Sequence, residues 1–322
     1  MINSTSRLAD NKSKSTPRRS LFIKQMIKSW IKEIVMLPLA AFDLVGLFYS
    51  SMLKLVNVNV GNLWADKQEK KIAKQFSEIS HSINGRKYKF KFYTPNWLCR
   101  YRANTFSTKE PETLAWIDTY GSNGVFFDIG ANVGLYSIYY GMTKTGNVYS
   151  FEPSVFNLGL LAQNINANGL QGRVKIVANP LTEANQFANF NLSTTEAGGA
   201  LSAFGVEYGQ DGKSLNRVCS YQTLGLTLDF LFASGLLTEA PSMIKIDVDG
   251  IEHLILRGAA KTLASPICKT VLVEVSMEFK LQAEEVSRIL TASGFALAKS
   301  AEHDVNQSAM LNSNANQVWI KK

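Results

Sequence analysis

Residues 125–134 read VFFDIGANVG and join an apolar run to two closely spaced glycines. The run Val125 to Ile129 predicts a buried strand, and the glycines predict a tight turn that leads into a helix. Gly130 leaves the backbone open to a ligand, and Gly134 allows the following helix to pack closely. The first N–H groups of such a helix point toward an anion. The junction therefore predicts a site for a nucleotide-like cofactor, with Asp128 as a fixed hydrogen-bond acceptor.

The spacing of this turn distinguishes between cofactors. It is D-x-G-x-x-x-G, and Asn132 stands where a dinucleotide-binding turn has the glycine that admits pyrophosphate. A second apolar run, Val148 to Phe151, is followed by Glu152, whose carboxylate can accept hydrogen bonds from both hydroxyls of a ribose. These features favour an adenosine moiety without phosphates, and we predict S-adenosylmethionine. A strand-turn-helix unit without a ligand is the alternative.

A second strand-turn-helix junction lies at residues 243–253, which read MIKIDVDGIEH. The period-two alternation of a strand puts Lys245, Asp247 and Asp249 on one side. Ligands of an open parallel sheet bind beyond the carboxyl ends of its strands. We therefore expect these aspartates to border the same crevice as the glycine turn and Glu152.

Carboxylates and imidazoles in this second junction are candidates for proton transfer. An alcohol that accepts a methyl group loses a proton, and a nearby base can take it. Asp247, Asp249 and His253 are the candidate catalytic residues. Asp249 and Glu252 also fit a helix-capping pair, and His253 fits a structural position in the first turn of the helix. Glu274, at the end of the next apolar run, fits either the site or a salt bridge.

The order of apolar runs along the chain predicts the fold class. The runs alternate with helical or loop segments, which is typical of an α/β fold with a parallel sheet and helices on both faces. Two late runs, Phe295 to Ala298 and Gln317 to Ile320, are predicted to complete the sheet as an edge hairpin. The earlier runs end at Phe127, Phe151, Val177, Val248 and Val275.

Four further segments have a predicted structure. Asp66 to Ser80 has the pattern of a charged amphipathic helix, and Arg86 to Tyr93 that of a half-buried strand whose lysine face is solvated or meets an acidic sugar. Ser107 to Glu110 has capping-box form, which predicts a helix over Glu112 to Tyr120. Leu181 to Thr227 lacks a regular pattern, so we interpret it as a flap over the acceptor substrate or as a plain insertion.

Composition and charge narrow the class of protein. The chain has 322 residues, 46% of them hydrophobic, which is enough for a large core. Residues 1–33 hold eight basic and two acidic residues, and the formal net charge of the whole chain is +8. The remainder is nearly neutral, which argues against a nucleic-acid partner. The cysteines and histidines are scattered, which predicts reduced thiols in a cytosol and neither a disulfide nor a metal site; the cysteines are Cys99, Cys219 and Cys268.

The N-terminal third differs in character from the rest. Residues 1–20 are polar and basic and are predicted to be unstructured, and residues 21–100 are predicted to form an extension of helices and strands. Ile34 to Leu53 is twenty residues long with Asp43 as its only charge. Three interpretations stay open: helices packed on protein, an interfacial membrane helix, or a membrane span, although Asp43 and Pro38 disfavour a span. The basic residues before this run suit an anionic membrane surface.

Four motifs together resemble the FkbM family of S-adenosylmethionine-dependent methyltransferases: DIGANVG at 128–134, FEP at 151–153, TLD at 227–229 and IKIDVDGIE at 244–252. The resemblance runs from about Arg102 to Lys322. It implies a Rossmann-like, doubly wound, mostly parallel sheet of seven strands with a reversed last strand, as in class I methyltransferases. It also implies a role for each matching residue: Gly130 and Asn132 at the methionine end, Glu152 at the ribose and Asp247 near the methyl group, with Asp128 and Gly134 completing the cofactor turn.

From these observations we expect a cytoplasmic S-adenosylmethionine-dependent O-methyltransferase in residues 101–322, acting on a hydroxyl of a sugar, glycan or secondary metabolite. Its expected partners are a small-molecule or carbohydrate acceptor and, through residues 1–60, a membrane surface. No nucleic-acid partner is expected, and oligomer formation is left open. Two alternatives belong to other classes: a non-catalytic protein that binds a nucleoside cofactor, and a nicotinamide-dependent oxidoreductase.

Overall fold

A computed structural model describes residues 41, 43–48, 60–302 and 314–322. The chain divides into two compact units, Met1–Ala73 and Lys74–Lys322. In the first unit, residues 43–48 are helical and α1 spans Val60–Ile72. The prediction for residues 1–20, and most of that for Ile34 to Leu53, lies outside the described residues. Within the described ranges, no helix has the length and apolar character that crossing a membrane requires.

The second unit is built around a sheet of seven strands in the order β11-β12-β10-β9-β3-β4-β5. Neighbouring pairs from β10 to β5 are parallel, and β12 runs antiparallel to both of its neighbours. This confirms the predicted doubly wound sheet with its reversed last strand and its late hairpin. The strands span Val125–Ile129 (β3), Val148–Phe151 (β4), Val174–Val177 (β5), Pro241–Ile246 (β9), Thr270–Ser276 (β10), Phe295–Glu302 (β11) and Asn314–Lys321 (β12).

Helices cover both faces of this sheet because successive side chains of a strand point to opposite sides. Phe126 packs in one apolar cluster with α3, α4 and α5, and Phe127 packs in another with α6, α7, α8 and α9. The central strands are therefore apolar on both faces, which explains their continuous apolar runs. The helices span Trp97–Asn104 (α2), Pro111–Tyr120 (α3), Leu135–Thr143 (α4), Val155–Ala167 (α5), Leu228–Ala233 (α6), Glu252–Arg257 (α7), Ala260–Ala264 (α8) and Lys280–Ala292 (α9).

The predicted helix over Asp66 to Ser80 is wrong in its second half. A strand, β1, spans Phe76–Ile83 and pairs antiparallel with β2, Arg86–Tyr93. Asn84 and Gly85 connect them with φ of 48° and 78°, the positive values that a two-residue hairpin turn needs. The pairing with β2 overrides the helical pattern, and alternate residues of β1 are half-buried.

The helix predicted after Ser107 forms, but it is not capped as expected. The helix α3 begins at Pro111, its N-cap is Glu110, and no side chain caps it. Ser107 Oγ lies 2.9 Å from His81 Nδ1 on β1 instead. The proline at the first helical position has no N–H that needs a partner, so the helix starts there without a capping box.

The segment without a predicted pattern contains a small sheet. Three antiparallel strands in the order β7-β6-β8 span Gln186–Leu192 (β6), Ser202–Phe204 (β7) and Cys219–Gly225 (β8). Phe190, Leu192 and Phe204 bury their side chains in the main core. The irregular sequence pattern of this segment did not predict these three strands. Residues 193–201, which connect β6 to β7, lie beside the glycine turn and are called the strap below.

Candidate functional site

The glycine turn after β3 is held against the two neighbouring strands. Gly130 has φ of 83°, and its N–H donates to the carbonyl of Phe151 at 3.0 Å. A Cβ at this position would lie 1.8 Å from the carbonyl oxygen of Asp247. Glycine is therefore required here by the close approach of the chain after β9. The sequence suggested that this space serves a ligand, whereas the structure fills it with backbone.

Gly134 has a comparable role at the other end of the turn. It is the N-cap of α4 with φ of 85°. A Cβ there would lie 2.5 Å from Cδ1 of Leu161 on α5. The close contact that requires glycine here is with α5, whereas the sequence predicted one between the following helix and the sheet.

Glu152 follows β4 and lies beside this turn. Its carboxylate accepts hydrogen bonds from the N–H of Asn132 at 2.7 Å and from the N–H of Ser154 at 2.8 Å. The side chain is 5% exposed, and burial raises the pKa of Glu152 to about 7, although these hydrogen bonds oppose the rise. Glu152 therefore lies beside the glycine turn with a pKa near neutral pH, and its contact with a ribose stays a prediction.

A cavity of about 300 Å³ connects the two junctions. It brings together five of the residues predicted from the sequence, and the walls also include the apolar side chains of Phe151, Pro180 and Leu181. This combination of an apolar wall with a few polar groups is typical of a small-molecule site. The five predicted residues are Gly130, Asn132, Glu152, Asp247 and Asp249.

Asp128 is fully buried and does not line the cavity. Its Oδ2 accepts a hydrogen bond of 2.6 Å from Ser137 Oγ, which ties β3 to α4. Burial raises the pKa of Asp128, while the nearby charge of Lys245 opposes this. The predicted ligand acceptor is thus a structural group within the core.

His253 is also outside the cavity. It lies on α7, is 3% exposed, and its ring packs edge-on against Phe279 with centroids 6.0 Å apart. Burial, followed by the charge of Arg257, lowers its pKa. The sequence allowed a catalytic or a structural role for His253, and its buried position supports the structural role.

Asp247 is held in the cavity by a buried lysine. Its Oδ2 lies 2.7 Å from Lys245 Nζ, and the Lys245 side chain is only 1% exposed. Burial alone would raise the pKa of Asp247, but the charge and hydrogen bond of Lys245 lower it to about 2. Glu274 lines the same wall and lies beside Asp247, because Val273 pairs with Ile246 in the parallel register of β10 and β9. Glu274 therefore belongs to the site, and among the residues that the structure describes it forms no salt bridge with a lysine, arginine or histidine.

Asp249 binds the strap and does not cap a helix. Its backbone has φ of 64°, and its Oδ2 accepts hydrogen bonds from the N–H groups of Leu201 at 2.8 Å and Ser202 at 3.2 Å. Burial, and then the charge of Asp247, raises the pKa of Asp249 to about 6. Glu252 instead accepts from the N–H of Gly250, so the predicted capping pair does not form.

The strap is joined to the cofactor turn by side-chain amides. Asn132 Nδ2 donates to the carbonyl of Gly199 at 2.7 Å, and Asn157 Nδ2 donates to the same oxygen at 3.1 Å. Arg102 Nε donates to the carbonyl of Gly198 at 2.7 Å. The strap therefore adjoins the methionine end of the predicted cofactor site.

Several residues of the cavity were not predicted from the sequence. Arg102, Lys109 and Glu110 come from α2 and the segment before α3, and all three line the cavity. Glu110 is buried and accepts hydrogen bonds from Lys109 Nζ at 2.8 Å and from the hydroxyl of Tyr136 at 2.6 Å. Arg102 lies in no motif, and Lys109 and Glu110 lie in the segment that was interpreted as a capping box, so only their charge could have indicated a place in the site.

The residues of the cavity fit S-adenosylmethionine. Asn132 Oδ1 is buried and, within the described part of the chain, has no hydrogen-bond partner, so it offers an acceptor to the amino group of the methionine end. Glu152 offers an acceptor to ribose hydroxyls, and Phe151 and Leu181 offer apolar contact to an adenine ring. Among the residues that the structure describes, no group of three or more acidic, histidine or cysteine side chains is arranged to hold a metal.

The sheet order, the glycine turn and the acid after the second parallel strand define a class I methyltransferase that uses S-adenosylmethionine. Residues 128–297, more than half of the chain, match the family model of the Methyltransferase FkbM domain. The chain belongs to the FkbM methyltransferase family. This favours a methyltransferase over the two alternatives from other classes that the sequence left open.

Comparison with solved structures gives matches at low identity. A methyltransferase FkbM from Methylobacillus flagellatus KT matches with a TM-score of 0.40 and 14% identity, over 62% of this chain and 44% of that one. The chain thus spans less than half the length of that protein. A fibrillarin from Aeropyrum pernix in complex with S-adenosyl-L-methionine matches with a TM-score of 0.44 and 10% identity, over 77% and 86% of the two chains. Comparison with the curated proteins gives no match.

Proposed function

We propose that this methyltransferase transfers the methyl group to a hydroxyl oxygen of a sugar, a glycan or a secondary metabolite. The supporting observation is the acidic wall of the cavity, which Asp247, Asp249 and Glu274 form beside the cofactor turn. Carboxylate oxygens accept hydrogen bonds from hydroxyl groups. An acceptor with several neighbouring hydroxyls therefore suits this wall.

The chain's own residues act mainly by positioning. When bound, S-adenosylmethionine supplies a methyl group on a positively charged sulfur. Asn132 and Glu152 hold its two polar ends, and Asp247, fixed by Lys245, accepts a hydrogen bond from the reacting hydroxyl. Orienting two reactants in this way supplies most of the rate in a direct displacement. The acidic wall also provides a base for the proton that the acceptor loses.

We further propose that the strap forms the acceptor side of the site. The N–H of Leu201 donates to the Asp249 carboxylate, and Gly199, Ala200 and Leu201 of the strap line the cavity. The acceptor would then contact the strap on one side and the acidic wall on the other. This agrees with the interpretation of the segment from Leu181 to Thr227 as a cover over the acceptor.

Residues 1–60 are proposed to contact an anionic membrane surface. Support comes from the sequence alone, because the basic residues of positions 1–33 precede the apolar run from Ile34 to Leu53. Each basic side chain near an anionic surface adds roughly 1 kcal/mol of attraction, and apolar side chains add burial at the interface. Such contact would place the enzyme near membrane-linked glycans.

The acceptor class is tested with the purified full-length protein, S-adenosylmethionine and a panel of oligosaccharides, polysaccharides and hydroxylated secondary metabolites. Mass spectrometry is expected to find the mass increment of one methyl group on a hydroxyl-bearing product. Asp247→Asn serves as the control and is expected to lower the yield. Methylation confined to amines or to carbon atoms would contradict the proposal.

A further inference from the structure

Two carboxyl groups lie side by side at the ends of neighbouring strands. Asp247 follows β9 and Glu274 lies on β10, and the parallel register that pairs Val273 with Ile246 brings them side by side. Both line the cavity. Two carboxyl groups that share a buried site repel each other when both are ionised, so one of them keeps its proton. The pair therefore holds one proton and one negative charge.

The ion pair with Lys245 keeps the negative charge of the two carboxyl groups on Asp247. Lys245 Nζ lies 2.7 Å from Asp247 Oδ2, which stabilises the negative charge on Asp247. Burial, and then the negative charges of Asp247 and Glu110, raise the pKa of Glu274 well above its usual range. The proton is therefore held by Glu274.

Acidic side chains surround Glu274 on several sides. Lys245 on β9 is a fully buried cation, and its charge is offset by the ion pair with Asp247. Lys109 is 45% exposed and pairs with Glu110. An additional positive charge in the cavity would therefore be attracted by several carboxylates. The charged groups around the pair are Lys245, Asp249, Glu252, Lys109, Glu110 and Arg102.

We propose that Glu274 is the catalytic residue that takes the acceptor's proton, and that a sulfonium ligand in the cavity drives Glu274 to release its own proton first. A positive charge close to the pair favours the ionised carboxylate. The inference rests on the proposed O-methylation, since it assigns the base for that reaction. Glu274 becomes a base only when the methyl donor is present.

The reaction then balances without any other reactant. The acceptor oxygen forms a bond to the methyl carbon, and the carbon–sulfur bond breaks with its electron pair staying on sulfur. The hydroxyl proton moves to the Glu274 carboxylate. Because the product S-adenosylhomocysteine carries an uncharged sulfur, the pair again holds one proton after transfer.

Isothermal titration calorimetry tests this inference without an acceptor. Binding of S-adenosylmethionine and of S-adenosylhomocysteine is measured at neutral pH in buffers of different ionisation enthalpy, which gives the number of protons released. We expect more release with the sulfonium ligand, the difference approaching about one proton per protein. Equal release with the two ligands would overturn the inference.

Variants assign the proton to a residue. Glu274→Gln is expected to abolish the difference between the two ligands, and a difference that persists in this variant would overturn the assignment. Glu78→Gln makes the same change at a surface acid paired with Lys89 and is expected to retain the difference. Any proton that Glu152 releases on binding the ribose does not affect the difference between the two ligands, because both ligands carry the same ribose.

The outcome is separable from that of the proposed function. If Glu274→Gln fails to fold, as thermal unfolding would show, the comparison of the two ligands on the wild-type protein still decides whether a proton is released. Failure to find a hydroxyl acceptor would refute the proposed function and leave the proton measurement unaffected. Loss of the proton difference with glycan methylation intact would refute only the role of Glu274.

Discussion

Lys245 Nζ lies 2.7 Å from Asp247 Oδ2, two residues further along the chain at the carboxyl end of β9. The lysine is buried, and its ammonium also lies 5.0 Å from the centre of the Tyr136 ring. Burial alone would lower the pKa of Lys245, but the charges of Asp247, Asp128 and Glu110 raise it. The pair is thus held fully ionised, and the carboxylate faces the cavity at a fixed position.

Asp247→Asn is expected to slow methyl transfer by about 10²- to 10⁴-fold, because the reacting hydroxyl loses a charged acceptor. The affinity for S-adenosylhomocysteine is expected to change little, since the ribose and the turn are held elsewhere. Calorimetry and turnover with the identified acceptor measure the two effects. Asp118→Asn, whose carboxylate pairs with Lys144 outside the cavity, is the control and should keep the wild-type rate. Wild-type turnover in Asp247→Asn would remove this residue from the mechanism.

Glu152→Ala is expected to weaken cofactor binding by about 1–3 kcal/mol, through loss of the hydrogen bonds to the ribose. Titration calorimetry with S-adenosylhomocysteine measures this loss. A dissociation constant equal to that of the wild type would show that Glu152 does not contact the ribose.

The same carboxylate predicts a pH dependence. Its pKa is raised from 4.5 to about 7, so the folded protein holds a proton that the unfolded chain lacks between these values. This group's contribution to folding stability therefore falls as the pH rises through that interval. Ribose hydroxyls bind the ionised form better, so the affinity for S-adenosylhomocysteine is expected to rise through about pH 7 and then level off. Glu152→Gln should flatten this profile.

Gly130→Ala is expected to prevent stable folding or to lower the thermal unfolding temperature strongly. The new Cβ would lie 1.8 Å from the Asp247 carbonyl oxygen, and φ is 83°. Gly169→Ala is the matched control, because Gly169 also has positive φ but no atom within 4 Å of the added Cβ. The control should cost only about 1–2 kcal/mol of backbone strain. Equal losses in the two variants would show that the contact with Asp247 is unimportant.

Deletion of residues 1–60 is expected to abolish co-sedimentation with vesicles that contain anionic lipid. Neutral vesicles and high salt serve as controls, because screening weakens electrostatic attraction. A second variant, with the basic residues of positions 1–33 changed to serine, separates charge from the apolar run. If the full-length protein does not sediment with anionic vesicles, the membrane proposal is wrong.

Local patterns predicted the parts of the fold that local interactions determine. The central strands are apolar on both faces, so each appears in the sequence as a continuous apolar run. The turn residues Gly130, Asn132 and Gly134 all have positive φ, which fits the motif from which the site was inferred. Strand β1 was mistaken for part of a helix because its structure depends on pairing with β2, which a period count within one segment does not include.

The rest of the site depends on contacts between distant segments. Arg102 reaches the strap across 96 positions of the sequence, and no motif links the two. The role of Glu274 depends on Asp247, which follows the neighbouring strand. The sequence alone did not decide whether Glu274 belongs to the site or forms a salt bridge. His253 lies six residues beyond Asp247, yet the direction of α7 turns its ring into the core. Proximity in sequence was thus a poor guide to which side chains meet at the cavity.

The most direct test of methyl transfer to oxygen uses S-adenosylmethionine labelled with ¹³C at the methyl group. The purified protein is incubated with the labelled cofactor and the hydroxylated acceptor panel, and the product is examined by NMR. We expect a methoxyl carbon signal on the acceptor, and a weaker signal with Asp247→Asn. A label found on nitrogen or carbon, or no label on any acceptor although the cofactor binds, would contradict it.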